Sequence, residues 1–477
     1  MHWSIERIVL ALYHKWHGDA PVHIIELPLS GSSRQYFRLS TEEHSYIAAF
    51  NTDVKENKAF LTMTRHFHRL GFPVPEILAV DDDEHAYLLS DLGDTTLFSL
   101  LPHGQPDKQF DHRIINLYKK TIEWLPAFQV KGAEDMDFNV CYPRHAFDKH
   151  SMMWDLNYFK YYFLKTSGIA FDEQKLEDSF DLFVTRLLEA PREFFMYRDF
   201  QSRNVMVIDD QPFFIDYQGG RKGALQYDIA SMLFDAKANL PFDLRQHLLE
   251  HYIGELSNIT RVDEHQFRSV YYDFVLIRIM QALATYGFRG GVEKKPLFLQ
   301  SMPFALNNLK WLADNHLLPT YNPYLCDLIT RIAATAPDIA EQPTKEGLTI
   351  TIRSFSYRQG IPADSSGNGG GFVFDCRVLP NPGRQNQYKM LTGKDPDVVS
   401  FLERNQEAKE FFGMASAMTS NAIKNYLNRG HTSLMISFGC TGGQHRSVYC
   451  AEKLAKTISD NYNVHVDLQH MEEKNWP

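Results

Sequence analysis

At 477 residues and 44% hydrophobic content, the chain is long enough for roughly two to four domains with substantial cores. Its formal charge of -10 argues against a protein that coats nucleic acid generally. The charge is uneven: residues 347–477 carry 14 Lys+Arg against 12 Asp+Glu, leaving 35 against 47 in residues 1–346. Five cysteines, Cys141, Cys326, Cys376, Cys440 and Cys450, form no paired framework and fit a reducing compartment. The segment after Met1 reads as amphipathic, not as a signal peptide. No apolar run approaches the ~18 residues of a membrane span, so a soluble cytoplasmic protein with no membrane partner is expected.

Residues 3–16 set Ile5, Ile8, Val9, Leu12 and Trp16 at helical spacing. HIIELPLS, RQYFRLS and SYIAAF follow as three short β runs. Between the first two, Ser30-Gly31-Ser32-Ser33 is a turn whose N–H groups can approach phosphates, although any hairpin needs such residues. DVKENKAFLTMTRHFHRLG is a helix with an apolar stripe of Phe60, Met63, Phe67 and Leu70, stopped by Gly71 and barred from continuing by Pro73 and Pro75. VPEILAV and HAYLLSDLG add two strands, the second running into Ser90, Asp91 and Leu92. A small lobe over about 1–92 therefore precedes a mainly helical large lobe over about 93–335, with helices near 107–130, 151–165 and 173–190 and a further run after YDIASM.

Within the large lobe, MYRDFQSRNVMVIDDQPFFIDYQ (Met196 to Gln218) reads as a loop, a strand, a tight turn and a second strand ending on an acid. Asp199 precedes Asn204 by five residues, and Asp216 follows the hairpin. This is the acid-x4-amide spacing and strand-end acid that kinase-type phosphoryl transfer uses. A carboxylate must orient the attacking hydroxyl, and hard oxygen ligands must hold Mg²⁺ on the nucleotide. Arg198 and Arg203 flank the loop and read first as partners of acids that hold it.

PDIAEQPTKEG, inside a linker over 336–347, separates a second domain over 348–477. There LTITIRSFSY is a β run, SLMISFG a buried strand, CTGGQHR a glycine-bearing loop and SVYCAEKLAKTI an amphipathic helix. Strand, loop and helix N-terminus make an anion site in which the N–H groups of Thr441 to Gly443 and the Arg446 fork would grip a phosphate. Cys440 to Arg446 also has the C-x5-R spacing of cysteine phosphatases. Gly439 stands where those enzymes usually have His, and a buried structural cysteine is the simpler reading.

GSSRQYFRL, GFPVPEILAV, LLSDLGDTTL, YRDFQSRNVMV, FFIDYQ and ALQYDIASML follow the order and spacing of the aminoglycoside phosphotransferase-like kinases, and residues 1–335 resemble most the bacterial cell-wall amino-sugar kinases of the AmgK type. The resemblance implies a two-lobed α+β protein-kinase-like fold that uses ATP and Mg²⁺ to phosphorylate a hydroxyl of N-acetylmuramate or N-acetylglucosamine. It makes Asp199 the catalytic base, Asn204 and Asp216 metal ligands, Gly31, Ser32 and Ser33 phosphate contacts, and Ser90, Asp91 and Leu92 the hinge that meets adenine. Asp228 matches a family Asp that is more structural than catalytic. Two positions depart from the pattern. Tyr197 stands where most of the family has His, a place Tyr can fill by hydrogen-bonding through its hydroxyl. Ala48-Ala49 stands where many kinases have a phosphate-binding Lys, and Lys55, Lys58 and Arg34 are replacements among which the sequence does not choose. These departures leave open a non-catalytic adapter that senses a phosphosugar and acts on an RNA or protein partner.

SFSYRQGIP, FDCRVLPNP, LTGKD, VVSFLE and GCTGGQHRSVY resemble the α/β C-terminal domain of the RNase adapter protein RapZ. This implies a pocket for an amino-sugar phosphate lined by Asp375, Arg377, Asn381, Thr441, Gly442, Gly443, His445 and Arg446. Gly383 stands where RapZ has His, SSGNGGG at 365–371 is an insertion, and HMEEKNWP lacks the basic cluster that grips RNA. An RNA partner is thus implied by the resemblance and unsupported by charge. The sequence fixes neither the sugar nor the oligomeric state.

Overall fold

Consecutive buried residues in the central strands, such as Ala48-Ala49 and Ala86 to Leu89, set the first sheet between two helices. The computed structural model describes residues 2–21, 23–27, 34–101, 110–293, 295–336, 348–364, 371–428, 431, 433–462 and 464–476. Helix α1 (His2–His17) leads into β1 (His23–Glu26), β2 (Gln35–Ser40) and β3 (Ser45–Phe50), followed by α2 (Val54–Arg69), β4 (Ile77–Val80) and β5 (Ala86–Ser90). The strands form an antiparallel sheet in the order β1-β2-β3-β5-β4. Successive residues face opposite ways. Ala48 and Leu88 pack with Ile5, Val9 and Leu12 of α1, whereas Ala49, Tyr87 and Leu89 pack with Phe60, Met63 and Phe67 of α2. Asp53 caps α2 by accepting from the N–H groups of Lys55 and Glu56, and Gly71 ends it at φ +75°.

Residues 112–333 form α3 (His112–Gln129), α4 (Lys149–Tyr162), α5 (Glu173–Leu187), the strands β6 (Phe194–Met196), β7 (Val205–Ile208), β8 (Gln211–Phe214) and β9 (Arg221–Gly223), then α6 (Leu225–Leu233), α7 (Phe242–Ile259), α8 (Glu264–Tyr286), α9 (Pro296–Leu299), α10 (Met302–Asp314) and α11 (Pro323–Ala333), all but α9 in the large lobe. β7 pairs with β8 and β6 with β9, both antiparallel. α4 packs on α8 and α3 on α7, burying Leu117, Phe128, Phe159, Tyr252 and Phe274 in one continuous core.

The chain divides into two compact units. The second takes in residues 288–300, with α9, and contains β10 (Thr349–Ser356), β11 (Gly371–Asp375), α12 (Pro396–Arg404), α13 (Gln406–Asn428), β12 (Ser433–Cys440), α14 (Arg446–Asn461) and β13 (His465–His470). All its strands are parallel, in the order β11-β12-β10-β13. A parallel sheet needs helical crossovers, which explains the near-continuous apolar run of β12. The register sets Ser356 beside Cys440 and Asp375 beside Gly439, so β10, β11 and β12 end together at one edge. The linker residues 337–347 and the insertion residues 365–370 lie outside the described residues. Among the described residues no helix is long and apolar enough to cross a membrane.

Ile436 is fully buried at the centre of β12. Ile436→Ala is expected to cost about 2–5 kcal/mol, read as a lower urea midpoint.

Candidate functional site

The loop between β6 and β7 is held from below by a buried acid. Asp228, in the first turn of α6, accepts the N–H groups of Tyr197 at 2.8 Å and Arg198 at 2.9 Å. These bonds fix Arg198 at φ +80°, a conformation non-glycine residues adopt only where the surroundings impose it. The Arg198 guanidinium spans both oxygens of Asp155 at 2.8 and 2.9 Å and donates to the Tyr227 hydroxyl at 2.8 Å. Arg198 is therefore committed to holding the loop. Arg203, largely in solvent, lies over the Phe98 ring and 3.9 Å from Asp235.

The loop is bonded across to the hairpin. The Tyr197 hydroxyl, buried, donates to the Ile215 carbonyl at 2.6 Å, and the Ile215 N–H donates to the Asn204 carbonyl at 3.1 Å. Asn204 Nδ2 donates to the Asp199 carbonyl at 2.9 Å, which leaves its Oδ1 as an acceptor. Asp216 sits at φ +68° and accepts from Gln218 Nε2 at 2.7 Å. Burial, and then the negative charge of Asp199, push the Asp216 carboxyl above its ordinary value. The structure thus brings Asp199, Asn204 and Asp216 together. An amide oxygen and a carboxylate beside a second carboxylate are hard donors in need of a cation, and they fit Mg²⁺.

The small lobe contributes a cation. Arg34, just before β2 and 1% exposed, pairs through Nη2 with Glu56 of α2 at 3.2 Å, and its Nη1 donates to the Tyr36 hydroxyl at 3.3 Å. Gln218 Nε2 bridges Glu56, at 3.5 Å, to Asp216. Lys55 and Lys58 are exposed. Of the three cations near the missing strand lysine, Arg34 alone is built into the buried network. Thr64 and Tyr217 share a hydroxyl–hydroxyl bond of 2.6 Å and Phe60 stacks on Tyr217, so α2 is fastened to the residue after Asp216. At the expected hinge, Asp91 is paired with Arg38 at 2.6 Å, and Ser90 is tied to Glu76 twice: its Oγ accepts the Glu76 N–H and its own N–H donates to the Glu76 carbonyl, both at 3.0 Å. Gly31, Ser32 and Ser33 lie outside the described residues. A cavity of about 480 Å³ between α2 and β4 is lined by Thr64 and Glu76 among others, but by none of Arg34, Asp199, Asn204 and Asp216.

In the second unit a cavity of about 420 Å³ lies at the C-terminal end of β12, lined by Asn381, Gly383, Lys389, Cys440, Thr441, Gly442, Gln444, His445 and Arg446. It collects Asn381, Thr441, Gly442, His445 and Arg446 of the residues expected there. Asp375 and Arg377 are not in its lining; they bond each other at 2.6 Å, with Arg377 over the Tyr357 ring. The expected grip also differs in detail. Gly443, at φ +68°, donates its N–H to Cys440 Sγ at 3.2 Å and not into the cavity. Arg446 spends Nη1 on the carbonyls of Arg377 at 3.1 Å and Leu379 at 3.0 Å. Gly393 lets the LTGKD turn press on the loop: its N–H donates to the Gln444 carbonyl at 2.9 Å, and a Cβ there would lie 2.2 Å from the His445 carbonyl oxygen. Gln444 lies inside the CTGGQHR loop but was not singled out there, and Lys389 had no motif to announce it; a lone Lys in a polar loop carries no signal.

The sequence profile of the phosphotransferase enzyme family matches residues 23–265, half of the chain. The chain belongs to that family. Residues 348–474 match the RapZ C-terminal domain. A nucleotide-binding protein of Nitrosomonas europaea is 40% identical over 132 residues, 28% of this chain and 43% of that protein. One of Clostridium perfringens is 38% identical over 165 residues, 35% of this chain and 53% of that protein. The chain spans about half the length of the curated relatives it matches. Among solved structures, the choline kinase LicA of Streptococcus pneumoniae is 12% identical with a TM-score of 0.45, covering 64% of this chain and 98% of that one. The fold is the aminoglycoside phosphotransferase kinase fold followed by a parallel-sheet α/β domain.

Two predictions concern the loop. Tyr197→Phe keeps the ring but leaves the Ile215 carbonyl without its buried donor, and is expected to cost about 1–3 kcal/mol in thermal unfolding. Burial, opposed by the Tyr197 and Arg198 N–H groups, pushes the Asp228 carboxyl from 3.8 up to about 7. A raised folded value means stability that is fully present below 3.8 and lost as pH rises through about 7. Asp228→Asn is expected to flatten the fall of Tm across that window.

Proposed function

We propose that the first unit is an ATP- and Mg²⁺-dependent kinase for a hydroxyl of an amino sugar of the N-acetylmuramate or N-acetylglucosamine kind, and that the second unit binds a phosphosugar. The observation that carries the kinase reading is the bonded set of Asp199, Asn204 and Asp216, with the Arg34–Glu56 pair joined to it through Gln218. Membership of the phosphotransferase family supports the reaction class. The acceptor class rests on the motif-level resemblance and on the presence of an anion pocket in the same chain.

In this reading Asp199 accepts the proton of the attacking hydroxyl. Asn204 Oδ1 and the Asp216 carboxylate would hold Mg²⁺, which when bound would neutralise charge on the transferring phosphates. Arg34, fixed by Glu56, supplies the positive charge that Ala48 and Ala49 cannot. The backbone of 90–92 meets the adenine. The reading as a non-catalytic adapter drew on Tyr197 and on the missing lysine. Tyr197 bonds through its hydroxyl, and a buried cation stands beside Glu56.

Sugar-dependent ADP release by the full chain is the test. Asp199→Asn is expected to lower kcat by about 10²–10⁴-fold. Arg34→Ala is expected to raise the KM for ATP, whereas Lys55→Ala and Lys58→Ala leave it unchanged. No ADP release with any free amino sugar overturns the acceptor class; equal effects of the three cation variants overturn the role of Arg34.

A further inference from the structure

Three cysteines lie beneath the 441–445 loop, and they are not equivalent. Cys376 and Cys450 are fully buried, and burial, with Cys450 and Cys440 alongside, pushes the Cys376 thiol well up. Cys440, at the end of β12, borders the 420 Å³ cavity. Its sulfur accepts the Gly443 N–H at 3.2 Å and lies 3.1 Å from Ser447 Oγ. Burial pushes this thiol up, but the bonds from Ser447 and Gly443 and the charge of Arg446 outweigh it, so it ends below the ordinary cysteine value. The thiolate is the nucleophilic form of cysteine, and these are the contacts that favour it.

Arg446 gives the second, independent sign. The side chain is 95% buried, since the residue is only 5% exposed, and it lines the same cavity. Nη1 is taken by the Arg377 and Leu379 carbonyls, Nη2 is 3.5 Å from Thr441 Oγ1, and Nε has no partner among the described residues. A buried guanidinium N–H without an acceptor is costly. The Nε and Nη2 edge is the one that meets two oxygens of a tetrahedral oxyanion in a fork.

We infer that Cys440 is a nucleophile toward a phosphomonoester seated on that edge of Arg446. The sulfur attacks phosphorus, and the S–P bond forms as the ester P–O bond breaks. The departing oxygen takes a proton from Nδ1 of the doubly protonated His445 ring, whose Nε2–H stays bonded to the Tyr388 carbonyl at 2.8 Å. Water then attacks phosphorus and returns a proton to Nδ1, the S–P bond breaks, and inorganic phosphate leaves with the thiolate restored. The net reaction is ester plus water to alcohol plus phosphate, with no other reactant. It rests on the anion-pocket half of the reading above and not on the kinase half.

The test uses the full chain without nucleotide, with p-nitrophenyl phosphate and a hexosamine phosphate as substrates. Phosphate release is expected from the wild type and its loss in Cys440→Ser, with a phosphocysteine at Cys440 in acid-quenched wild type by peptide mass. On the wild type, iodoacetamide is expected to modify Cys440 ahead of Cys376 and Cys450, and inorganic phosphate to protect it. Protection without turnover of either ester overturns the nucleophile and leaves the anion pocket standing. Neither protection nor turnover overturns both, and turnover that persists in Cys440→Ser overturns the assignment to this sulfur.

Discussion

The candidate active site depends on one buried carboxylate. Asp228 has no solvent around it, and its two oxygens take the N–H groups of consecutive residues, Tyr197 and Arg198. Burying a charge is costly unless it is hydrogen-bonded, so the two N–H groups cannot turn away without leaving the acid unsatisfied. That constraint pays for the left-handed backbone of Arg198 and sends its side chain to Asp155. The carboxylate of Asp199, next in the chain, has no hydrogen-bond partner among the described residues, although its backbone carbonyl accepts from Asn204. The carboxylate that would accept a proton is positioned by one that never meets substrate.

The same logic links the small lobe to the loop. α2 touches the site at two levels, through Glu56 to Gln218 and Asp216, and through Thr64 and Phe60 to Tyr217. A shift of α2 along its axis would break both the ion pair with Arg34 and the packing on Tyr217. Strand β3 has no room for a long cation: Ala48 is packed against α1 and Ala49 against α2. Placing the charge on Arg34 leaves the sheet closely packed and still brings a guanidinium to α2.

The elements were legible where the information is local. Short runs of β-forming residues gave the five strands, Gly71 and two prolines ended α2, and the spacing of Asp199, Asn204 and Asp216 lies within a single loop and hairpin. What the sequence left open depends on distant partners. Lys55, Lys58 and Arg34 are equivalent as letters; burial separates them, and burial is a property of the packed sheet. Asp155, the partner of Arg198, is 43 residues away on α4 with nothing to mark it. In the second unit one cavity collects Asn381, Thr441, Gly442, His445 and Arg446, but Asp375 and Arg377 satisfy each other and Gly443 turns its N–H toward sulfur. Hydrogen-bond direction in a short loop follows from φ at individual residues, which a motif does not encode.

The two units reach a similar arrangement with opposite charges. In the first, a buried acid is spent on backbone N–H groups; in the second, a buried guanidinium is spent on backbone carbonyls. Backbone dipoles fixed in a folded loop reorganise little when a charged group arrives, so what they hold is preorganised. Asp228 uses both of its oxygens in this way, which leaves nothing for a ligand and makes it purely a clamp. Arg446 uses one nitrogen for two carbonyls and keeps Nε without a partner among the described residues. It is therefore a clamp on one edge and a docking edge on the other. Because Nη1 is anchored, an anion bound at the other edge would be fixed in direction as well as in place, with Cys440 at the floor of the same cavity. The unspent Nε–H, at the rim of a cavity and on a guanidinium otherwise anchored, is the feature of this loop that favours a binding role over a plain strand-to-helix turn.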